Sequence, residues 1–392
     1  MTALTVATAF TLPVISVAAQ ASAAAATITA ASADEPGGAP GSAPGGAPAR
    51  ASEWWLTALG VSRAWQAAAG RGGGVTVAVL STGVDATQPD LAGDVTAGPD
   101  LSRSGRGSGG PFWGYEGTAV ASLIAGHGHG RGGTAGITGV APRAKILSLR
   151  VTLEYNDPLN ARAAITNRLP DAIAAGIRYA VSRGVQVIAL PLDPGALGPS
   201  ATGDPAAGGG SPAERAAVTF ALAHNVLLVA PAGDNGASTG SVTYPAAYPG
   251  VIAAGATGRD GRLTPYTSTR SYVALTAPGA NLREAAPGRG YDALSSSDMS
   301  AALTAGAAAL IRSRYPRLTA AQVAQALLRG AGHGALNAAT AVAAAAAVAG
   351  TLPGPARGGQ GTSGAGAAPQ GGSGGSGSTA THQGGAGTIA GS

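Results

Sequence analysis

The stretch Gly74-Val75-Thr76-Val77-Ala78-Val79-Leu80-Ser81-Thr82-Gly83-Val84-Asp85 decides the reading of this chain. Residues 75–80 form a nearly unbroken apolar, β-branched run, too short for an ordinary helix and closed by Ser-Thr-Gly. A run without polar alternation reads as a strand covered on both faces, as in a parallel sheet. Runs of the same kind recur at 146–151, 185–190, 226–230 and 251–254. Helical patterns lie between or after them, at 116–125, 170–183, 212–224, 298–315, 319–329 and 335–349. This alternation predicts an α/β fold with a doubly wound, mostly parallel central sheet flanked by helices. Ligands of such sheets meet the carboxyl ends of the strands. Ser81 ends the first strand, while Glu116 and Asp298 each open a helix, so all three are expected on one rim.

A length of 392 residues with 45% hydrophobic content suits one large domain with tails. With 64 glycines and few aromatics, its core must rely on close backbone approach. The net charge of +5 is carried by arginine, since Lys145 is the only lysine. No basic run is interleaved with aromatics, so no nucleic-acid partner is expected. The absence of cysteine rules out disulfides and thiolate metal ligands. Residues 1–30 are uncharged and read as an export signal ending near Ala21-Ser22-Ala23, although the usual basic start is missing. That reading makes the protein secreted or cell-surface. An uncleaved anchor competes with it, but Pro13, Gln20 and interspersed Ser and Thr argue against a stable membrane span. Residues 31–52 read as a Gly/Pro/Ala-rich linker, 53–350 as the folded domain, and 351–392 as a disordered Gly/Ser-rich tail. A monomer is expected.

Further motifs follow in order: Pro89-Asp90-Leu91, Gly117-Thr118-Ala119-Val120-Ala121-Ser122-Leu123-Ile124-Ala125-Gly126, Gly139-Val140-Ala141-Pro142 and Leu147-Ser148-Leu149-Arg150-Val151. Ala232-Gly233-Asp234-Asn235-Gly236, Met299-Ser300-Ala301 and Ala305-Gly306 complete the series. Together they resemble the subtilisin-like (subtilase) serine peptidases, over a span from about Trp55 to Gly350. The opening Trp55-Leu56-Thr57-Ala58-Leu59-Gly60-Val61-Ser62-Arg63-Ala64-Trp65 is similar to the mycosins, the subtilases of actinobacterial type VII secretion. The resemblance implies a catalytic Asp, His and Ser at the positions that here hold Ser81, Glu116 and Asp298. It also implies an oxyanion-binding Asn where Asp234 stands. The usual substrate-pairing edge, Ser-Leu-Gly, corresponds to Pro191, Leu192 and Asp193. Proline has no N–H to give a substrate strand, and Asp193 adds charge where glycine allows close approach. Ala302 replaces a proline, the insertion 194–212 begins at this edge, and the segment before Trp55 is too short for the usual propeptide.

In that family the Ser attacks the peptide carbonyl, the His takes its proton and the Asp orients the His. A carboxylate at Asp234 would repel an oxyanion rather than donate to it. The departures from that pattern imply an inactive homologue, exported on the N-terminal reading, that acts, if at all, by binding a peptide or protein. Bland readings stand beside this one: Asp298 and Glu116 suit helix N-termini, and Ser81 is a small polar residue at a strand end. A sharper reading brings Glu116, Asp298 and Asp234 into one cavity, where they share a proton or bind a hard cation such as Ca²⁺. A third is a peptidase with a rearranged, acid-dependent Ser/Glu/Asp site. Sedolisins, a sister family, use Glu as base and Asp at the oxyanion position, but they keep the nucleophilic Ser. His127 and His129 read as a solvated Gly-rich loop rather than a metal pair, and His224 as a helix end. His333 lies in a Gly-rich turn, and Trp54, Trp55 and Trp65 read as packing anchors.

Overall fold

The computed structural model describes residues 53–192, 210–236, 242–332 and 334–351, all within one structural unit. The expected export signal and linker, nearly all of the tail, Asp193, most of the insertion and His333 lie outside these residues. In chain order the elements are α1 (Trp54–Ala58), α2 (Val61–Ala67), β1 (Thr76–Ser81), β2 (Val95–Asp100), α3 (Tyr115–Ala125), β3 (His127–His129), β4 (Ala135–Thr138) and β5 (Lys145–Arg150). There follow α4 (Ala163–Thr166), α5 (Leu169–Ser182), β6 (Val187–Ala189), α6 (Pro212–Ala223), β7 (Leu227–Pro231), β8 (Val251–Thr257) and β9 (Val273–Pro278). The last are β10 (Leu282–Ala285), β11 (Tyr291–Leu294), α7 (Ser297–Arg314), α8 (Ala320–Gly330) and α9 (Ala338–Gly350).

Seven strands pair in the order β2-β5-β1-β6-β7-β8-β9, every neighbouring pair parallel. The doubly wound sheet read from the sequence is therefore present. Alternate residues of its strands feed two separate cores, as the two-residue period requires. Val77, Val79, Ile146, Val187, Leu227 and Val229 pack with α3, α7, α8 and α9. Ala78, Leu80, Leu147, Leu149, Ile188 and Leu228 pack with α5 and α6 on the other face. Both faces being covered explains why the runs look continuous rather than alternating. Burial of each large side chain contributes about 1.5–3 kcal/mol.

From Ser297 to Arg312 every residue of α7 is buried. A helix with no wet face must be packed on all sides, and alanine and glycine let its neighbours come close. At Gly306 an added Cβ would stand 2.7 Å from the Val140 side chain.

Two strands of the sheet are not among those expected. β2 and β9 form the edges, and both are incompletely buried. β2 also carries Gly98 and Pro99, with a register shift between Ala97 and Asp100. Edge strands lose the apolar run because one flank meets water or a loop. Two hairpins, β3–β4 and β10–β11, were likewise not expected. The first corrects the reading of residues 127–129 as a solvated loop. His129 Nδ1 lies 2.6 Å from Oδ1 of the fully buried Asp90, whose Oδ2 accepts from Tyr291 Oη and the Ile137 N–H.

Among the described residues no helix is long and apolar enough to cross a membrane.

Candidate functional site at the carboxyl ends of the strands

Ser81 ends β1 opposite Arg150, its register partner at the end of β5. The Ser81 side chain is fully enclosed, and its Oγ has no hydrogen-bond partner. The segment leading into α3 is bonded to the next residue, Thr82. Gly114 N–H donates to Thr82 O, and Gly117 N–H to Thr82 Oγ1 at 3.2 Å. Arg150 Nη1 donates to Thr82 O at 2.6 Å and to Phe112 O at 3.0 Å. Its guanidinium lies 4.7 Å from the Trp113 ring centroid, a cation–π contact strengthened by burial. The Trp113 indole rests on Gly83, where an added Cβ would stand 2.9 Å from the ring.

The N-terminus of α3 is capped across the chain. Its N-cap residue is Gly114, and the Tyr115 N–H donates to Glu154 Oε1 at 2.7 Å. Burial pushes the Glu154 carboxyl up; the Thr82 hydroxyl, the Tyr115 and Glu116 N–H groups and Arg150 pull it partly back. Burial likewise lowers Arg150, opposed by Asp100, Glu154 and Asp157. Glu116 stands in the first turn of α3 and is half-buried, as its helix-opening position predicts. Tyr115 Oη donates to Asp292 Oδ2 on β11, tying the start of α3 to the β10–β11 hairpin.

The N-terminus of α7 is also occupied from within the chain. Ser296, not Asp298, is its N-cap: the Asp298 N–H donates to Ser296 Oγ at 2.9 Å. That hydroxyl in turn donates to Asp298 Oδ2 at 2.8 Å. The Ser297 N–H donates to both carboxylate oxygens of Asp234, at 2.9 and 3.2 Å, and Gly233 N–H donates to Ser297 Oγ. Asp234 follows β7, so one carboxylate anchors that loop to the helix. A negative group at the positive end of an 18-residue helix is stabilising. Asp234→Ala is expected to cost about 1 kcal/mol, within the range of about 0.5–2 for lost caps. A urea melt checks this, and an unchanged midpoint would refute the capping role.

Ser81, Glu116, Asp234 and Asp298 thus all stand at the strands' carboxyl-end rim. Glu116, Asp234 and Asp298 are not gathered into a cation cage, however. Among the described residues no group of three or more His, Asp or Glu side chains is arranged to hold a metal ion. Asp234 serves the α7 N-terminus instead. Pro191 and Leu192, just past β6, are both buried. The three described histidines bond elsewhere: His127 to Gly128 O and Ala92 O, His129 to Asp90, and His224 to Phe220 O.

Sequence reasoning missed Arg150, Glu154, Trp113 and Ser296. An arginine closing an apolar run was the visible signal for Arg150, because a charge there must find partners. Ser296, two residues before Asp298, had the ordinary signature of an N-cap.

Residues 72–351 match the family model described as the Subtilase family. Among curated proteins, subtilisin DY of Bacillus licheniformis is 32% identical over 264 residues, which is 66% of this chain and 84% of that protein. Among solved structures, the MycP3 protease from the type VII (ESX-3) secretion system superposes with a TM-score of 0.57 at 28% identity, covering 78% of this chain and 90% of that one. Fervidolysin from Fervidobacterium pennivorans, a keratinolytic enzyme related to subtilisin, gives 0.58 at 26% identity. That match covers 74% of this chain but only 45% of fervidolysin.

Proposed function

The chain belongs to the subtilase family, and from that premise we propose that it is an exported member that does not cleave peptide bonds and instead binds a peptide or protein. The observation that carries this reading is the state of the α7 N-terminus. In a hydrolase of this type, backbone N–H groups there stabilise the oxyanion that forms as the carbonyl is attacked. Here the Ser297 N–H is taken by Asp234 and the Asp298 N–H by Ser296 Oγ. A carboxylate fixed at Asp234 adds repulsion to that loss.

The candidate nucleophiles are no better placed. Ser81 is fully enclosed and Ser297 is 1% exposed, and none of the described histidines is bonded to either hydroxyl. Without a base in contact, a serine hydroxyl is a weak nucleophile at neutral pH. In subtilisin, loss of the nucleophile or base alone lowers kcat by about 10⁶.

The test is incubation of the full chain with casein and with a fluorophosphonate probe, between acid and alkaline pH. Neither cleavage nor labelling is expected. Cleavage abolished by Glu116→Gln would overturn the reading and establish a rearranged acid-dependent peptidase. Labelling abolished by changing one serine would restore a serine-nucleophile mechanism.

A further inference from the structure

Beside Arg150, whose backbone oxygen accepts from the Leu101 and Ser102 N–H groups, a cavity of about 260 Å³ opens between the segment after β2 and the first turns of α5. Its floor is apolar, made of Leu101 and two α5 alanines, and its polar lining is Ser102, Arg103, Arg168 and Asp171. The volume exceeds that of several waters at about 30 Å³ each.

The arginines are the informative part. Arg106, three residues on, is paired with Asp157, and the buried Arg150 and Arg312 donate to backbone carbonyls. Among the described residues the Arg103 and Arg168 side chains make no hydrogen bond or ion pair, although Asp171 lines the same cavity. Ser102 Oγ is committed to Asp100 Oδ1 at 2.6 Å, so that carboxylate is engaged elsewhere.

Two guanidiniums against one carboxylate leave the lining positive. Arg168 is also the N-cap residue of α5, where no side chain accepts from the first turn. A cation there opposes the helix dipole, Asp171 in the first turn offsets this in part, and Arg103 on the same lining adds a second positive charge. By contrast, α6 and α8 begin with Ser211 and Thr319 capping boxes. An anion entering the cavity meets two guanidiniums that no carboxylate pairs among the described residues. Guanidinium groups are matched in shape to carboxylate and phosphate oxygens.

We propose that this cavity is an oxyanion site, in which Arg103 and Arg168 hold a carboxylate of an acidic peptide or a free phosphate. The site stands whether or not the domain cleaves peptides, so it is tested separately from the function proposed above.

The experiment is calorimetric titration of the full chain with three ligands at matched ionic strength. They are a blocked Asp/Glu tetrapeptide, its Asn/Gln counterpart, and inorganic phosphate. Saturable binding of the acidic peptide or of phosphate is expected, weakening as salt rises. The double variant Arg103→Ala/Arg168→Ala should weaken it at least about tenfold, and Asp171→Asn should tighten it. All three residues are exposed, so these variants should melt with the wild type. Peptide binding alone identifies a polypeptide source for the anion, and phosphate binding alone a small-molecule source. The proposal is overturned if neither anion binds, if the amide peptide binds equally well, or if the double variant binds as tightly.

Discussion

Gly117→Ala is expected to lower the stability of this domain by at least about 3 kcal/mol, the upper range for overpacking a close-fitted core. A Cβ at residue 117 would stand 1.8 Å from Gly83 O and 2.9 Å from the Gly83 carbonyl carbon. Both are backbone atoms of the turn that follows β1, so no side chain can swing aside. Relief requires α3 to back away, which breaks the bonds from the Gly114 and Gly117 N–H groups to Thr82. Alanine's better helix propensity returns only about 1 kcal/mol. Differential scanning calorimetry should show the melting temperature falling by roughly 6–12 °C, given about 2–4 °C per kcal/mol in a domain of this size. Gly107→Ala, where an added Cβ meets nothing within 4 Å, should melt with the wild type. Equal melting of the two variants would show that α3 does not seat on β1 as described.

Glu284→Gln is expected to remove most of an alkaline loss of stability. Glu284 lies on β10, 1% exposed, facing Asp292 across the hairpin. Neither of its carboxyl oxygens has a hydrogen-bond partner in geometric range. Burial pushes its carboxyl well above the ordinary range, and Asp292 pushes it further, with the Leu294 N–H only partly opposing. Tyr115 faces the same pair from α3, its own hydroxyl also pushed up, mainly by burial and the bond to Asp292. A raised carboxyl means that the folded state keeps a proton which the unfolded chain releases. Its contribution is therefore fully present below the unfolded value of about 4.3 and is lost as pH climbs through the folded value. Glutamine mimics the protonated acid and cannot ionise. The variant should match the wild type near pH 4 and exceed it at alkaline pH. The margin should be on the order of 1–3 kcal/mol, the usual cost of leaving a buried polar group unmet. Parallel stability–pH profiles for the two proteins would show that Glu284 carries no trapped proton.

The central strands were legible because burial on both faces writes an unbroken apolar run, as in Val77–Leu80 of β1. Helix starts at Glu116 and Asp298 were legible to within a residue or two for the same local reasons. β2 and β9 were not, because an edge strand needs apolar residues only where it is covered. The partners at the rim were hidden for a different reason. Glu154 meets Tyr115 across 39 residues, and Asp234 meets Ser297 across 63. Nothing near Asp234 in the sequence reveals that its carboxylate completes a helix elsewhere. Reading it as a damaged oxyanion donor or as a member of a carboxylate cluster missed its structural role at that terminus.

α7 joins two jobs in one element, with its first turn at the rim and its remaining turns walled in by the sheet and three helices. The opening turn is held by polar partners, Asp234 and Ser296, whereas almost any enlargement further along would strain the interior. Such a division lets one architecture carry different chemistry at its edge while its interior stays the same.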